Sequence, residues 1–304
     1  MRPRKSVWVE PSRDLCGTTE GEFARLIEVL APLAEADKRA RESYPGRRRA
    51  PGAGTKPKPF WFRMLVGLTH AWTGLTLRPT ARVFGIHERT VRCYRDELER
   101  LLVSHGVVVA GGRRLSNSID LAEHLHHVAE TNGEFVIVDG TEVRRSRPGG
   151  GWDVQRGAYS YKTHQHAAKA TVVAASDGQP IWWEANPSGE GRTHDISMLR
   201  AQLGLLGALS VAKIAVLGDL GYEGLHHDLG DRAWAPKRRR PGHRHLDRDD
   251  TLYNHGLAAS RIRVEHAIRQ LKRWRALTHW RRSPEKLNTT GKAITALCSI
   301  LHSG

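Results

Sequence analysis

The sequence predicts an α+β chain, with helices in the N-terminal part and a sheet flanked by helices after them. Three observations predict it. Apolar residues recur at three-to-four spacing through 20–41 and again through 60–103, the period of helices with one buried face. From Glu134 the texture changes to short, uninterrupted apolar runs, as in strands covered on both sides. A last helical pattern occupies 257–277, after a basic stretch. The 304 residues allow roughly two domains.

In the first helix Phe23, Leu26, Ile27, Leu30 and Leu33 form the apolar stripe. Residues 45–59, PGRRRAPGAGTKPKP, exclude regular structure by their prolines and glycines. Their five cations suit a phosphate-facing arm or, equally, a solvated linker. An apolar helix over 60–71 precedes a short one that ends at Gly85, where a tight turn calls for positive φ. Another starts near Glu88 and carries Val91, Tyr94, Leu98 and Leu101 at helical period. Two helices joined by a glycine turn form the helix-turn-helix pattern, and the second would present Arg89, Arg92 and Arg95 to a DNA groove. An αα-hairpin without a DNA role has the same signature.

The strands follow. Phe135-Val136-Ile137-Val138 is the first; 167–175 and 179–185 are two more, separated by the hairpin turn Ser176-Asp177-Gly178. A helix over 196–209 and strands at 213–217 and 233–236 complete the block, and the basic run KRRRPGHRH fills 237–245.

Charge narrows the function. Forty-eight Lys and Arg against 32 Asp and Glu leave +16, a surplus that favours a polyanion, because cations placed on phosphates release counterions. No run approaches the ~18–20 apolar residues of a membrane span, and Met1-Arg2-Pro3-Arg4-Lys5 leads into no apolar core of a secretory signal. Cys16, Cys93 and Cys298 lie far apart without CxxC spacing, which argues against a disulfide framework or a zinc knuckle and for a reducing cytosol.

Two acids sit where buried strands end. Asp139 follows the run 135–138, and Asp219 follows 213–218. Singly, each reads as a turn or cap residue. If the strands are neighbours the carboxylates converge and repel, and a divalent cation relieves this; oxygen-only ligands favour Mg²⁺ or Mn²⁺. Glu265 is the one acid of the cation-rich stretch 261–275; taken alone it reads as an i, i+4 ion pair with Arg261 or Arg269.

Taken in order, Val138-Asp139-Gly140-Thr141, Tyr159-Ser160-Tyr161-Lys162, Pro187-Ser188-Gly189 with His194-Asp195, Gly218-Asp219-Leu220-Gly221-Tyr222 and Arg261-Ile262-Arg263-Val264-Glu265 with Leu271-Lys272 match a known pattern. The chain resembles the DDE transposases of the ribonuclease H-like superfamily, in the insertion-sequence group related to the Harbinger elements. The resemblance implies an N-terminal segment and basic linker (1–59), a helix-turn-helix DNA-binding domain (60–130), a ribonuclease H-like mixed-sheet catalytic domain flanked by helices (131–282) and a C-terminal helical tail (283–304). It implies that Asp139, Asp219 and Glu265 hold two Mg²⁺ (or Mn²⁺) ions and that the chain cuts and transfers DNA strands. Partners are then the element's inverted ends and target DNA, contacted also by Lys162, Lys237, Arg238, Arg239, Arg240, Arg261 and Lys272. The working complex would be a homodimer or larger, in a bacterial cytoplasm at the nucleoid. No GxxxxGK[ST] loop points to a nucleotide cofactor.

Three positions depart from the family pattern: Leu220 for its usual Lys, Tyr161 for Gly, and Ala258 for Tyr. Asp195 reads as a helix cap. Trp182, Trp183, Trp274 and Trp280 read as core or as platforms for splayed bases. Two other functions remain open: a non-catalytic helix-turn-helix regulator, and a metal-dependent nuclease without transposition.

Overall fold

Apolar stripes in the N-terminal third meet as packed helices. The computed structural model describes residues 10–42, 58–132, 134–186, 188, 190–239, 241–242 and 245–302. Arm residues 45–57, Pro187, Gly189, Arg240, His243 and Arg244 lie outside them. Helix α1 (Arg13–Cys16) leads into α2 (Glu20–Glu42), whose Phe23, Leu26 and Leu30 are buried. Then come α3 (Phe60–Thr73), α4 (Leu77–Phe84) and α5 (Glu88–His105). Gly85 ends α4 at φ 62, a left-handed conformation that disfavours any residue with a Cβ by roughly 1–2 kcal/mol. The His87 side chain then accepts the Arg89 N–H and starts α5. A small hairpin, β1 (Val107–Val108) and β2 (Arg114–Leu115), connects to α6 (Ser118–Asn132).

The rest of the chain builds a mixed sheet. Its elements are β3 (Phe135–Arg145), α7 (Trp152–Gly157), β4 (Tyr159–Ser160), β5 (Gln165–Ala175), β6 (Pro180–Ala185), α8 (Asp195–Ala201), α9 (Leu203–Val211), β7 (Ala215–Leu217), α10 (His226–Leu229), β8 (Ala233–Trp234), α11 (Arg248–Lys272), β9 (His279–Trp280) and α12 (Glu285–His302). The strand order is β4–β5–β3–β7–β8, with β6 also on β5 and β9 also on β3. Strands β3, β5 and β6 run antiparallel; β7 joins β3 in parallel and β8 joins β7 in parallel.

Several elements differ from their sequence reading. Strand β3 does not stop at Val138 but continues through Arg145, because Asp139, Gly140 and Thr141 pair with Val172, Thr171 and Ala170. The helix expected over 196–209 breaks at Gln202, which is buried and makes two bonds that a continuous helix could not direct. Its side chain accepts from Thr171 Oγ1 at 2.7 Å and donates to the Glu184 carbonyl at 2.8 Å. Helix α11 covers 248–272 rather than 257–277. Helix α12 packs on both α5 and β6 and so joins the helical block to the sheet in one buried cluster. No helix among the described residues is long and apolar enough to cross a membrane.

Candidate active site

The sheet register places the two strand acids. Ile137 of β3 stands opposite Leu217 of β7, and Asp139 and Asp219 each come two residues later. A strand repeats every second residue, so both acids share the face of Ile137 and Leu217. That face is covered by Leu257, Val264 and Ala267 of α11. Asp139 therefore lies mid-strand and Asp219 just beyond one, side by side beneath the helix that carries Glu265.

Each carboxylate is held by the backbone after it. The Gly140 N–H donates to Asp139 Oδ1 at 2.7 Å, and the Gly221 N–H donates to Asp219 Oδ1 at 2.8 Å. Burial, reinforced by the charge of Asp219, pushes the Asp139 carboxyl up to about 6, with Arg261 opposing. Arg261 Nη2 lies 3.9 Å from Asp219 Oδ2. The repulsion, the hard oxygen donors and the half-buried setting suit a divalent cation.

A third acid joins these two, and it is Asp195. The sequence reading made it a cap, but the N-cap of α8 is His194; Asp195 turns inward. Lys169 Nζ donates to Asp195 Oδ1 at 2.9 Å and to the Thr193 carbonyl at 2.8 Å. A Cβ on Gly140 would stand 2.1 Å from Asp195 Oδ1. A Cβ on Gly221 would stand 2.7 Å from Asp195 Oδ2 and 2.9 Å from Asp219 Oδ1. The glycines beside both acids are thus where Asp195 enters; in the sequence it stood out only through the His194-Asp195 segment of the family pattern.

Glu265 is exposed. Among the described residues no three Asp, Glu, His or Cys side chains stand close enough together to hold a metal ion. Its place on the helix is nonetheless defined: Arg261, Glu265, Ile268 and Lys272 follow one another at helical spacing on one stripe. Arg261 touches Asp219, and Lys272 Nζ donates to the Glu142 carbonyl at 2.9 Å, three residues past Asp139. Burial lowers the Lys272 pKa.

The cations assigned to DNA divide into groups. Arg89 and Arg92 are exposed on α5, whereas Arg95 is 9% exposed and pairs with Asp96, out of reach of a duplex on the helix surface. Lys162 is exposed. Lys237 pairs with Asp250 at 2.7 Å; Arg238 pairs with Glu223 at 2.6 Å and reaches the Leu220 carbonyl, so the basic segment begins beside Asp219. Arg239 is exposed and Arg240 lies outside the described residues. Arg261 and Lys272 point toward the sheet, to Asp219 and to the Glu142 carbonyl. All four tryptophans considered for base stacking are buried as core.

A family model described as "DDE superfamily endonuclease" matches residues 138–303. No curated protein matches the chain. A solved structure described as "Mos1 transposase paired-end complex with left transposon end" is similar at 15% identity over 92% of this chain and 89% of that one. The TM-score is 0.21.

Proposed function

The chain belongs to the DDE superfamily endonuclease family, and from that premise we propose that it is a DNA transposase which binds the inverted ends of an insertion sequence and cuts and transfers strands. The observation that carries this reading is the pairing of Asp139 and Asp219 on one face of adjacent parallel strands, beneath the helix of Glu265. In this reading the sheet is ribonuclease H-like, residues 131–282 are catalytic and 60–130 recognise DNA, with 1–59 as an N-terminal helical segment and basic linker and 283–304 as the C-terminal helical tail.

Asp139, Asp219 and Glu265 would hold two Mg²⁺ or Mn²⁺ ions, which supply activation of an attacking oxygen and neutralise the leaving one. The protein's own contribution is positional. Backbone N–H groups of Gly140 and Gly221 fix one oxygen of each aspartate and leave the other for a ligand. Asp195, anchored by Lys169, packs its carboxylate against both Gly140 and Gly221. Arg261 balances Asp219.

DNA approaches from two sides. The first turns of α5 offer Arg89 and Arg92, at the position a recognition helix presents. Lys162 and the segment beginning at Lys237 flank the acids and would track phosphates. A homodimer or larger assembly brings two ends together.

The test is a nicking and strand-joining assay on labelled DNA from either side of the gene, with Mg²⁺ or Mn²⁺. Cuts at a defined end by the wild type, absent in Asp139→Asn, Asp219→Asn and Glu265→Gln while DNA binding persists, are expected. Hydrolysis without joining would replace the transposase by a nuclease. Tight binding with no cut would replace it by a regulator.

A further inference from the structure

A cavity of about 880 Å³ lies between the α3–α5 block and the chain segment 276–297, and none of Asp139, Asp195 and Asp219 lines it. It is built of two kinds of surface. Leu98, Leu102, Trp280, Ile294 and Leu297 supply apolar walls. Among them, Glu99, Thr290 and His70 bring hydrogen-bonding groups into the depth, and His70 Nδ1 is buried without a hydrogen-bond partner. Six cations line it: Arg78, Arg92, Arg95, Arg281, Arg282 and Lys286.

Three of these cations are neutralised. Arg78 pairs with Glu88, Arg95 with Asp96, and Arg282 with Glu99. Arg92, Arg281 and Lys286 make no ion pair among the described residues, and all three are exposed. Glu99, Thr290 and Arg282 hydrogen-bond one another, so the cavity joins an apolar interior holding the unpartnered His70 Nδ1 to a rim with three cations outside any ion pair among the described residues. A hydrocarbon chain would leave His70 Nδ1 desolvated without a partner, whereas a heterocycle can meet both the apolar walls and that nitrogen. A phosphate suits the rim.

We propose that this cavity binds a nucleoside phosphate, with the base between the apolar walls and the phosphate on Arg92, Arg281 and Lys286. The size falls within the range of small-ligand pockets, ~300–1,000 Å³. Its lining includes Arg78 and Glu88, whose ion pair joins α4 to α5, so occupancy bears on the helix pair assigned to DNA. The ligand has two possible sources with one chemistry: a free nucleotide, or a nucleotide extruded from a bound strand. The site depends on its own geometry and not on the aspartates, so it stands or falls apart from the transposase reading.

The full chain, without divalent metal and at low salt, is titrated calorimetrically with AMP, GMP, CMP and TMP and with inorganic phosphate. The same titrations use Arg281→Gln/Lys286→Gln, two exposed positions whose thermal midpoint should match the wild type, and Lys38→Gln as a control outside the cavity. Binding of at least one nucleotide is expected, about tenfold tighter than inorganic phosphate and weakened about tenfold or more in the double variant alone. In a second arm, duplexes carry 2-aminopurine at successive positions. A fluorescence rise at one position, lost in the double variant, assigns the site to extruded bases and also supports the proposal. No nucleotide binding at about 1 mM together with no unstacked position overturns it, as does binding that the double variant leaves unchanged.

Discussion

Replacing Asp139 by Asn should stabilise the protein at neutral pH while ending its catalysis. In the folded chain burial and the neighbouring Asp219 charge raise the Asp139 carboxyl from 3.8 to about 6. At ~1.36 kcal/mol per pKa unit, that rise corresponds to a penalty of at most about 3 kcal/mol on the ionised form. The sign follows from proton binding. Between 3.8 and about 6 the folded state holds more of the proton than the unfolded state, so this group's contribution to stability falls as pH rises through that window. Below 3.8 the penalty is absent; above about 6 it is complete. Asparagine keeps the carbonyl oxygen that accepts the Gly140 N–H at 2.7 Å and removes the charge. Urea unfolding in chelator at pH 7 and pH 4 checks it. The variant should gain up to about 3 kcal/mol over the wild type at pH 7 and little at pH 4. A variant less stable than the wild type at pH 7, or a gain equal at both pH values, would refute the electrostatic account of the site.

Three further predictions rest on close contacts. Gly140→Ala should cost about 1–3 kcal/mol, because its Cβ meets Asp195 at 2.1 Å; adding Asp195→Ala should remove that increment, and strictly additive unfolding energies would show that no such contact exists. Gly291→Ala should destabilise the joint between α12 and the sheet by about 1–3 kcal/mol or more, since Trp183 Nε1 lies 2.0 Å from the new methyl, whereas Gly207→Ala, in open space, should be tolerated; equal thermal midpoints for the two would contradict this. His70, held to about 4 by burial and by Arg95 and Arg282, stays neutral when folded but protonates in the unfolded chain below 6.5. Stability is therefore lost as pH falls from 6.5 toward 4, by at most about 3 kcal/mol, and His70→Gln should abolish this loss in pH-dependent urea titrations.

Much of the chain could be read from local pattern because the physics concerned is local. Helical periodicity marked α2, α3 and α5; the glycine at position 85 marked the end of α4; Ser176-Asp177-Gly178 marked the turn between β5 and β6. The apolar runs before Asp139 and Asp219 reported strands buried on both faces, and that is why the two acids could be singled out. Local pattern could not say that β3 continues past Val138, because the residues beyond it are polar and their strand conformation comes from hydrogen bonds to β5. It could not show Gln202 breaking a helix in order to satisfy Thr171 and Glu184. Nor could it separate Arg95 from Arg89 and Arg92, which look alike along the helix until Asp96 and Arg282 enclose that side.

The sequence by itself determined which residues carry charge, which faces are apolar, and hence the α+β character, the basic surface and the two strand acids. Tertiary structure decided which of those charges meet. Asp139 and Asp219 are neighbours because β7 docks in parallel on β3, and Asp195 reaches them because Gly140 and Gly221 leave room for its carboxylate. The cavity beneath α5 likewise exists only where α12 closes on the helical block. Each depends on segments distant in sequence, whose approach is set by packing and register and written in no single stretch of the chain.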